Sequence, residues 1–258
     1  ELADDAEDEG PDYAGEARAG AVEAEKLGSA AFRNHGAEER AAERLRAPLY
    51  CSHKNCQNVK VGGCLHEVAA DGDPRVADEA DEAERIRHMT DSLVGAFKKA
   101  DLYRILVPRE LGGSELGWIE ALRIVEEVSQ VDGSSGWCLM VGAIELGMGG
   151  AFLPKKGADV LYSRGKDLLM AGQGPPRGVA RPVNRGYRIT GDWAYGSGIY
   201  HADVIHTGCR IMDGDEPVMS SLGIPEVLIC HVDRKDVVVK DDWETLGLRG
   251  TGSFDYSI

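Results

Sequence analysis

The sequence predicts an α+β protein in which an N-terminal α-helical domain precedes an antiparallel β-barrel or β-sandwich domain. From Asp78 onward, apolar residues recur at spacings of three and four, which is typical of amphipathic helices. After about residue 166 the pattern changes to short β-branched or alternating runs separated by turn residues. Because no helical pattern lies between these strands, a doubly wound parallel sheet is disfavoured.

The first 77 residues differ in composition from the rest of the chain. Ala, Glu, Asp and Gly dominate them, and large apolar residues are sparse. Such a composition buries too little apolar surface to offset the conformational entropy of the chain. We therefore expect three regions: an acidic accessory or disordered segment at 1–77, a helical domain at 78–165, and an incomplete β-barrel domain at 166–258.

Three long helices are predicted in the helical domain. The first ends before Pro108, the second follows Gly117 and stops at Asp132-Gly133, and the third begins near Ser134 as its cap. The third helix is apolar on all sides, so it is expected at the buried centre of the domain. The apolar faces are Ile86, Met89, Leu93, Phe97 and Ala100 in the first helix; Ile119, Leu122, Val125 and Val128 in the second; and Trp137, Val141, Ile144, Met148 and Phe152 in the third.

The β-domain is predicted from seven short runs of strand-like residues. Turn chemistry separates several of them, notably at Asn184-Arg-Gly186 and Asp213-Gly-Asp215. The expected strands are Leu168–Ala171, Val179–Val183, Tyr187–Thr190, Val204–Ile211, Val227–Val232, Val237–Val239 and Ser253–Ile258.

Charge and hydropathy exclude some classes of partner. The formal net charge is -15, which disfavours nucleic acid and anionic membranes. We expect no apolar run to reach the length that spans a membrane, and the first residues lack the pattern of a secretory leader. We therefore expect a cytoplasmic protein that binds neither nucleic acid nor membrane.

The six cysteines raise the question of a metal site. Cys51, Cys56 and Cys64 cluster with His53 and His66, but the spacing lacks a Cys-x2-Cys knuckle. We expect no metal there. The other three cysteines, Cys138, Cys209 and Cys230, fall inside apolar patterns, where a reduced thiol acts as a small hydrophobic group.

The run from Gly191 to Asp203 carries the strongest functional signal. Ser197 stands between two glycines, which let backbone groups approach a ligand closely, and Trp193 and Tyr195 offer faces for a flat ring. Two further segments accompany this run: Leu246-Gly-Leu-Arg-Gly-Thr-Gly-Ser253 downstream and Tyr103-Arg-Ile-Leu-Val-Pro-Arg-Glu-Leu-Gly-Gly113 upstream.

In this order and separation, the three segments resemble the acyl-CoA dehydrogenase superfamily, from about Asp78 to the end of the chain. Within it, Tyr195-Gly-Ser-Gly198 followed by His201-Ala-Asp203 resembles the flavin-dependent monooxygenase branch. The resemblance implies the oxygenase component of a two-component enzyme, which uses reduced FMN or FAD from a separate flavin reductase to hydroxylate an aromatic or related apolar substrate with O2. It also implies a homotetramer assembled by a C-terminal four-helix bundle, for which this sequence has no counterpart.

The resemblance implies a set of site residues. Ser197 takes the position that touches the N5 edge of the flavin, and Trp137 the position that lines the flavin and substrate cavity. The other cofactor-binding positions are Ala171, Gly172, Gln173, Tyr195 and Gly196.

Glu145 is a second catalytic candidate, since a carboxylate on an otherwise apolar helix suits proton transfer. A structural ion pair is the alternative role for it. His201 is expected to fix its loop rather than titrate. Arg249 could meet a flavin phosphate or a neighbouring subunit, or pair with a nearby acid.

Two other functions stay open from the sequence. An acyl-CoA dehydrogenase would remove an α-proton with a carboxylate while flavin takes the hydride. An inactive fragment would serve only for binding or assembly. Retention of flavin, and oxidation of an acyl-CoA, would distinguish these functions from the monooxygenase.

Overall fold

The computed structural model describes residues 30–32, 74–184 and 186–258. The cluster of cysteines and histidines between Cys51 and His66 lies outside these ranges. Residues 30–32 form a short strand that pairs with a later one, so part of the acidic segment contributes to the sheet.

The helical region contains five α-helices and begins before the expected boundary at residue 78. Two short 3-10 turns, Leu102–Arg104 and Arg109–Leu111, connect the second helix to the third. The helices are α1 (Pro74–Ile86), α2 (Asp91–Lys99), α3 (Trp118–Val131), α4 (Gly133–Phe152) and α5 (Lys155–Tyr162).

The prediction of a single first helix is wrong, because the helix is interrupted between α1 and α2. Arg87 has a φ of 66°, which a continuing helix does not allow. Thr90 then caps α2, accepting a hydrogen bond from the backbone N–H of Leu93 at 3.2 Å. The apolar spacing continued across the break, which is why periodicity alone did not show it.

The expected buried stripe of α3 is only partly correct. Val128 is buried, but Ile119 and Leu122 are 59% and 51% exposed. The face in contact with the core instead begins at Ala121, whose small side chain permits close packing. The apolar face predicted from the spacing is therefore wider than the face that α3 buries.

The cap of α4 also differs from the expectation. Asp132 ends α3 and begins α4, and its carboxylate accepts hydrogen bonds from the backbone N–H and the hydroxyl of Ser135. Ser134 instead donates its hydroxyl to Glu84 of α1 at 2.9 Å. The cap is an aspartate rather than the expected serine, and Ser134 ties α4 to α1.

Helix α4 is the centre of the helical region, but only one of its faces is buried. A Cβ atom on Gly142 would lie 2.7 Å from the ring of Tyr103, so this face needs glycine to let the chain approach. On the other face Trp137, Met148 and Phe152 are 45%, 37% and 36% exposed. Burial on all sides, as expected from composition, is therefore wrong.

By length and composition, α4 could also cross a membrane, which corrects the expectation that no apolar run reaches that length. Half of its most apolar window is buried inside the protein. Such packing is that of a core helix.

Within the residues that the structure describes, nine strands form two sheets. The larger has the order β1-β7-β5-β2-β3, with β6 paired to β5, and the smaller has the order β4-β9-β8. The strands are β1 (Ala30–Phe32), β2 (Met170–Val183), β3 (Gly186–Thr190), β4 (Asp192–Gly196), β5 (Val204–Asp213), β6 (Glu216–Pro217), β7 (Val227–Asp233), β8 (Val238–Val239) and β9 (Phe254–Ser257).

The strands differ from the expectation in two respects. The first two predicted strands are one long strand, β2, whose register shifts around Pro176 accommodate residues that cannot donate to the ladder. In addition, β2 and β5 run parallel, with Met170 beside Val204, so the large sheet is mixed rather than antiparallel. After the β2–β3 hairpin the chain enters the small sheet as β4 and then returns to the large sheet. Strand β5 therefore begins at the same end of the large sheet as β2 and runs in the same direction.

Two hydrophobic cores meet at the start of β2. The helical core extends to Leu168, Leu169 and Met170, whereas Ala171 already belongs to the core between the sheets. The α+β class with helices first is confirmed. The exact domain limits stay a prediction, since the cores adjoin within one strand.

Candidate functional site

The exposed face of α4 meets the loop after β4, and two predicted site residues contact each other there. The indole Nε1 of Trp137 donates a hydrogen bond to the Oγ of Ser197 at 2.9 Å. Ser197 is 5% exposed, whereas Trp137 is 45% exposed. The indole of Trp137 is therefore partly exposed to solvent, whereas the hydroxyl of Ser197 is covered by protein.

Local backbone geometry directs Ser197 toward the helix. Tyr195 and Gly198 both have positive φ values, 65° and 74°, which turn the chain sharply at the end of β4. The backbone N–H of Gly198 donates to the carbonyl of Thr251 at 2.9 Å. This bond holds the loop against the Gly-Thr-Gly-Ser segment before β9.

A row of buried hydroxyl groups continues behind Ser197. Its Oγ lies 2.7 Å from the Oγ of Ser253, which lies 2.7 Å from the Oγ1 of Thr251. We call Ser197, Ser253 and Thr251 the hydroxyl relay. The thiol of Cys138, next to Trp137 on α4, donates to the carbonyl of Thr251 at 3.4 Å, and burial raises the pKa of this thiol to about 12.

The two aromatic residues before Ser197 have different surroundings. Tyr195 is 60% exposed and meets Trp243 edge-on, with 6.1 Å between ring centroids. Trp193 is instead 1% exposed and stacks on Tyr256 in the core, where its Nε1 donates to the carbonyl of Gly208 at 3.0 Å. The expectation that Trp193 offers a face to a ring is therefore wrong, because strand alternation turns it inward.

The predicted stretch on β2 lies beside β5. Ala171 is buried, and Gly172 has a φ of 140° and lies so close to β5 that a Cβ atom there would be 1.9 Å from the carbonyl oxygen of His206. Gln173 follows at the position paired with Thr207. The Oε1 of Gln173 is buried and has no hydrogen-bond partner among the described residues.

Glu145 has an imidazole neighbour that the sequence did not indicate. Its Oε2 lies 2.9 Å from the Nδ1 of His206 on β5, without the alignment of a hydrogen bond. Both side chains are nearly buried, and the ring of His206 meets that of His231 edge-on at 5.4 Å between centroids. The pairing is that of the structural alternative for Glu145, and its catalytic role stays a prediction.

That cavity has a volume of about 300 Å³ and is mostly apolar. It lies between the C-terminal half of α4 and strands β5 and β7. Its walls are Met148, Phe152, Leu153, His206, Val227, Ile229 and His231.

The structure thus brings Trp137 and Ser197 into direct contact, and it connects the β2 stretch to this loop only through other residues. Gly196 pairs with Phe254 on β9, and Tyr256 of the same strand lies 3.4 Å from the Oγ1 of Thr207 on β5. Burial raises the pKa of the Tyr256 hydroxyl, so it stays protonated.

Sequence reasoning missed Ser253, Thr251 and His206. The first two stand in the Gly-Leu-Arg-Gly-Thr-Gly-Ser segment, where the hydroxyl side chains next to the glycines are the signal that could have found them. His206 could have been found as a polar interruption in the apolar run Val204–Ile211.

His201 and Arg249 both hold the β-region to the helices. The Nε2 of His201 donates to the carbonyl of Met89 at 2.8 Å, and burial lowers the pKa of its imidazole. Arg249 donates to the carbonyl of Glu84 at 3.1 Å and lies 3.3 Å from the carboxylate of Glu244. Of the roles considered for Arg249, the structure therefore shows the pairing with a nearby acid, Glu244.

The chain is similar to known flavin-dependent proteins. Residues 65–155 match the model of the acyl-CoA dehydrogenase N-terminal domain. An indole-3-acetate monooxygenase from Pseudomonas putida is 33% identical over 67% of this chain and 42% of its own length. The HsaA oxygenase subunit of a flavin-dependent monooxygenase from Rhodococcus jostii is 26% identical over 70% of this chain and 45% of its own length.

A solved structure shares the fold. XiaF from Streptomyces sp., in complex with FADH2 and glycerol, superposes with a TM-score of 0.70 at 26% identity, over 80% of this chain and 50% of that one. The chain thus spans half or less of the length of these three proteins. Residues 65–155 thus form an acyl-CoA dehydrogenase N-terminal domain, and the chain is similar to monooxygenases, one of which is named a flavin-dependent oxygenase subunit.

Proposed function

We propose that this chain is part of the oxygenase component of a two-component flavin-dependent monooxygenase. The observation that carries the proposal is the contact between Trp137 and Ser197 at the open face of α4. Two predicted flavin-binding residues from different elements share one site there. The names of the relatives support the same class of enzyme.

The predicted cofactor-binding residues fit an isoalloxazine ring. Such a ring carries an N–H group and carbonyl oxygens on its pyrimidine part, and the buried Oε1 of Gln173 is an acceptor without a partner among the described residues. Exposed Trp137 offers an apolar face for the ring, and Ser197 a polar contact at its edge. We therefore assign flavin binding to Trp137, Ser197, Tyr195, Gly196 and the β2 stretch Ala171-Gly-Gln173.

When bound, reduced flavin supplies the chemistry of O2 activation and oxygen transfer. The protein contributes binding, orientation and exclusion of water. Ser197 is fixed by the hydroxyl relay behind it, and Trp137 covers the site from α4. Glu145 and His206 form a buried carboxylate–imidazole pair that can hold a proton beside the cavity.

The cavity supports a small aromatic or related apolar substrate. Its volume of about 300 Å³ lies at the lower end of ligand pockets, and apolar side chains form most of its wall. Indole-3-acetate in the name of one relative, and p-hydroxyphenylacetate in that of another, are substrates of this kind.

The remaining features of the assembly are part of the proposal. A separate flavin reductase would supply the reduced cofactor, as the names "oxygenase subunit" and "oxygenase component" among the relatives suggest. We also propose a cytoplasmic homotetramer. Both FMN and FAD are candidates, and parallel titrations with the two will decide between them.

The proposal is tested by binding and turnover. Purified protein is titrated with reduced FMN and FAD without oxygen, and then mixed with air and indole-3-acetate or p-hydroxyphenylacetate while hydroxylated product is measured. Replacing Trp137 by Ala should weaken flavin binding about 10-fold or more, since an aromatic contact at the ring is lost. Trp118→Ala is the matched control, because Trp118 is an indole of similar exposure, 54%, on a different helix, α3.

Three results would contradict the proposal. Flavin binding that survives Trp137→Ala unchanged would place the cofactor elsewhere. Bleaching of oxidised flavin by an acyl-CoA would indicate the dehydrogenase reaction. Failure to bind either flavin would leave only a role in binding or assembly.

A further inference from the structure

The hydroxyl relay has a fixed direction of hydrogen bonding. At one end the indole Nε1 of Trp137 donates to Ser197 at 2.9 Å. At the other end Thr251 Oγ1 donates to the carbonyl oxygen of Leu248 at 2.9 Å. Ser197, Ser253 and Thr251 are only 5%, 4% and 2% exposed, so water has little access to compete for these bonds.

The two ends determine where each hydroxyl proton lies. An indole N–H can only donate, a carbonyl can only accept, and each hydroxyl has one proton. Since Thr251 gives its proton to the carbonyl of Leu248, Ser253 must donate to Thr251, and Ser197 must donate to Ser253. Ser197 then has no proton left for a ligand, and its oxygen keeps one free lone pair.

We propose that the hydroxyl relay makes Ser197 an obligate hydrogen-bond acceptor and thereby selects reduced over oxidised flavin. This inference rests on the proposed function, because it assumes that Ser197 faces the N5 edge of the ring. Reduction places a hydrogen on N5, which becomes a donor, whereas N5 of oxidised flavin has only a lone pair. Reduced flavin thus completes the bonding of Ser197, and oxidised flavin opposes one lone pair with another.

Ser253 and Thr251 are positioning residues in this scheme. Neither needs to touch the flavin, since they act by holding the proton of Ser197 away from it. A buried mismatch of two acceptors should make oxidised flavin bind about 10- to 100-fold more weakly than reduced flavin. The preference suits an oxygenase that receives reduced flavin by diffusion and must release the oxidised product.

The variant Thr251→Val tests the direction of the relay while leaving Trp137, Ser197 and Ser253 in place. Without the hydroxyl of Thr251, Ser253 loses its acceptor and is free to donate to Ser197 instead. Ser197 can then donate outward to N5 of oxidised flavin. We expect the ratio of the two affinities to fall to near one, chiefly because oxidised flavin binds more tightly.

The controls separate this effect from general damage. Thr245→Val is the matched substitution, because the hydroxyl of Thr245 donates to the carbonyl of Gly247 at 2.8 Å and lies outside the relay. Ser253→Ala is a second relay variant that frees the proton of Ser197 directly. Circular dichroism and thermal unfolding of each variant show whether the fold is retained.

The measurement is equilibrium binding of oxidised and chemically reduced FMN and FAD, without oxygen or substrate. The midpoint potential of the bound flavin gives an independent readout. Each tenfold loss of preference for the reduced form should lower this two-electron potential by about 30 mV. A relay with only a structural role would leave the potential unchanged.

The outcomes distinguish the inference from the proposed function. A preference of 10-fold or more in the wild type that disappears in Thr251→Val or Ser253→Ala, but not in Thr245→Val, supports the relay. Equal binding of the two forms by the wild type, or a preference retained in a folded relay variant, overturns it and leaves the proposed function standing. If the wild type binds neither form, both are wrong.

Discussion

The hydroxyl relay and the pair of Glu145 with His206 are two buried polar clusters that each contact helix α4, the relay through Trp137 and the pair through Glu145, and their hydrogen bonding differs. In the relay, every hydroxyl has a donor on one side and an acceptor on the other, so each proton has one place. In the pair, Glu145 Oε2 and His206 Nδ1 lie 2.9 Å apart without aligned hydrogen bonding. Neither of these two atoms has a hydrogen-bond partner among the described residues.

The difference teaches which chemistry each cluster suits. A fixed hydroxyl positions a ligand and discriminates between donors and acceptors. A carboxylate beside an imidazole can gain or lose a proton as a substrate binds. The proposed function therefore places orientation of the ring at the end of α4 that carries Trp137, and proton transfer at the stretch around Glu145.

The largest expected effect concerns the strand pair that holds His206. In Gly172→Ala the new Cβ would lie 1.9 Å from the carbonyl oxygen of His206, in a backbone conformation with φ of 140°. Clash and strain together should lower the free energy of unfolding by about 3 kcal/mol or more. Urea unfolding of the variant measures this loss.

Gly165→Ala is the matched control for Gly172→Ala. Gly165 has a φ of 106°, but a Cβ atom there would meet nothing within 4 Å. Its substitution should therefore cost only the backbone strain, about 1 kcal/mol. Equal losses of unfolding free energy in the two variants would show that the close approach of β2 to β5 at Gly172 adds no cost beyond backbone strain.

The second prediction concerns the unaligned pair itself. Glu145→Ala should lower the free energy of unfolding by about 1–3 kcal/mol, because it leaves the imidazole of His206 buried without its carboxylate. A double-mutant cycle with His206→Ala should give a coupling energy of about 0.5–3 kcal/mol. A coupling energy of zero would mean that the two side chains are neighbours without interaction.

A surface pair provides the contrast. Lys155 and Asp159 lie 2.8 Å apart on α5, with side chains that are 85% and 53% exposed. Asp159→Asn should leave the urea midpoint unchanged, since exposed ion pairs are screened by solvent. The comparison of the two pairs measures how much burial contributes at Glu145.

The sequence predicted the order of helices and strands, but not the features that make the two clusters. Periodicity located α4, whereas exposure of Trp137 and Met148 depends on what covers the helix, which spacing does not contain. Trp193 and Tyr195 are two residues apart, yet one is buried and the other exposed. The positive φ at Tyr195 breaks the alternation that the sequence suggested.

Long-range contacts were the least predictable part. The resemblance placed Trp137 and Ser197 in one site, and their hydrogen bond joins residues 60 positions apart. Ser253 and His206 join these clusters from β9 and β5, through pairings that local pattern does not specify. The parallel pairing of β2 with β5 was missed for the same reason, since it depends on the path of the chain between them.

The third prediction addresses the stability of the relay. Ser253→Ala should lower the free energy of unfolding by about 1–3 kcal/mol, because Ser197 loses its acceptor, Thr251 loses its donor, and both buried hydrogen bonds disappear. Ser163→Ala is the control, since its exposed hydroxyl donates to the carbonyl of Val160 at 2.8 Å on the surface of the protein. A loss no larger than that of Ser163→Ala would contradict a relay of full-strength bonds.

The smallest expected effect is a dependence of stability on pH at a third polar contact. Burial lowers the pKa of His201 below its ordinary value of 6.5, although its bond to Met89 and the nearby Asp91 oppose this shift. The unfolded chain therefore takes up a proton at a higher pH than the folded protein. The stabilisation from neutral His201 is complete above pH 6.5 and is lost as the pH falls below that value. In His201→Gln, unfolding free energies measured between pH 5 and pH 8 should decline less steeply on the acid side than in the wild type. Identical slopes in the two proteins would show that His201 takes up protons equally in the folded and unfolded states.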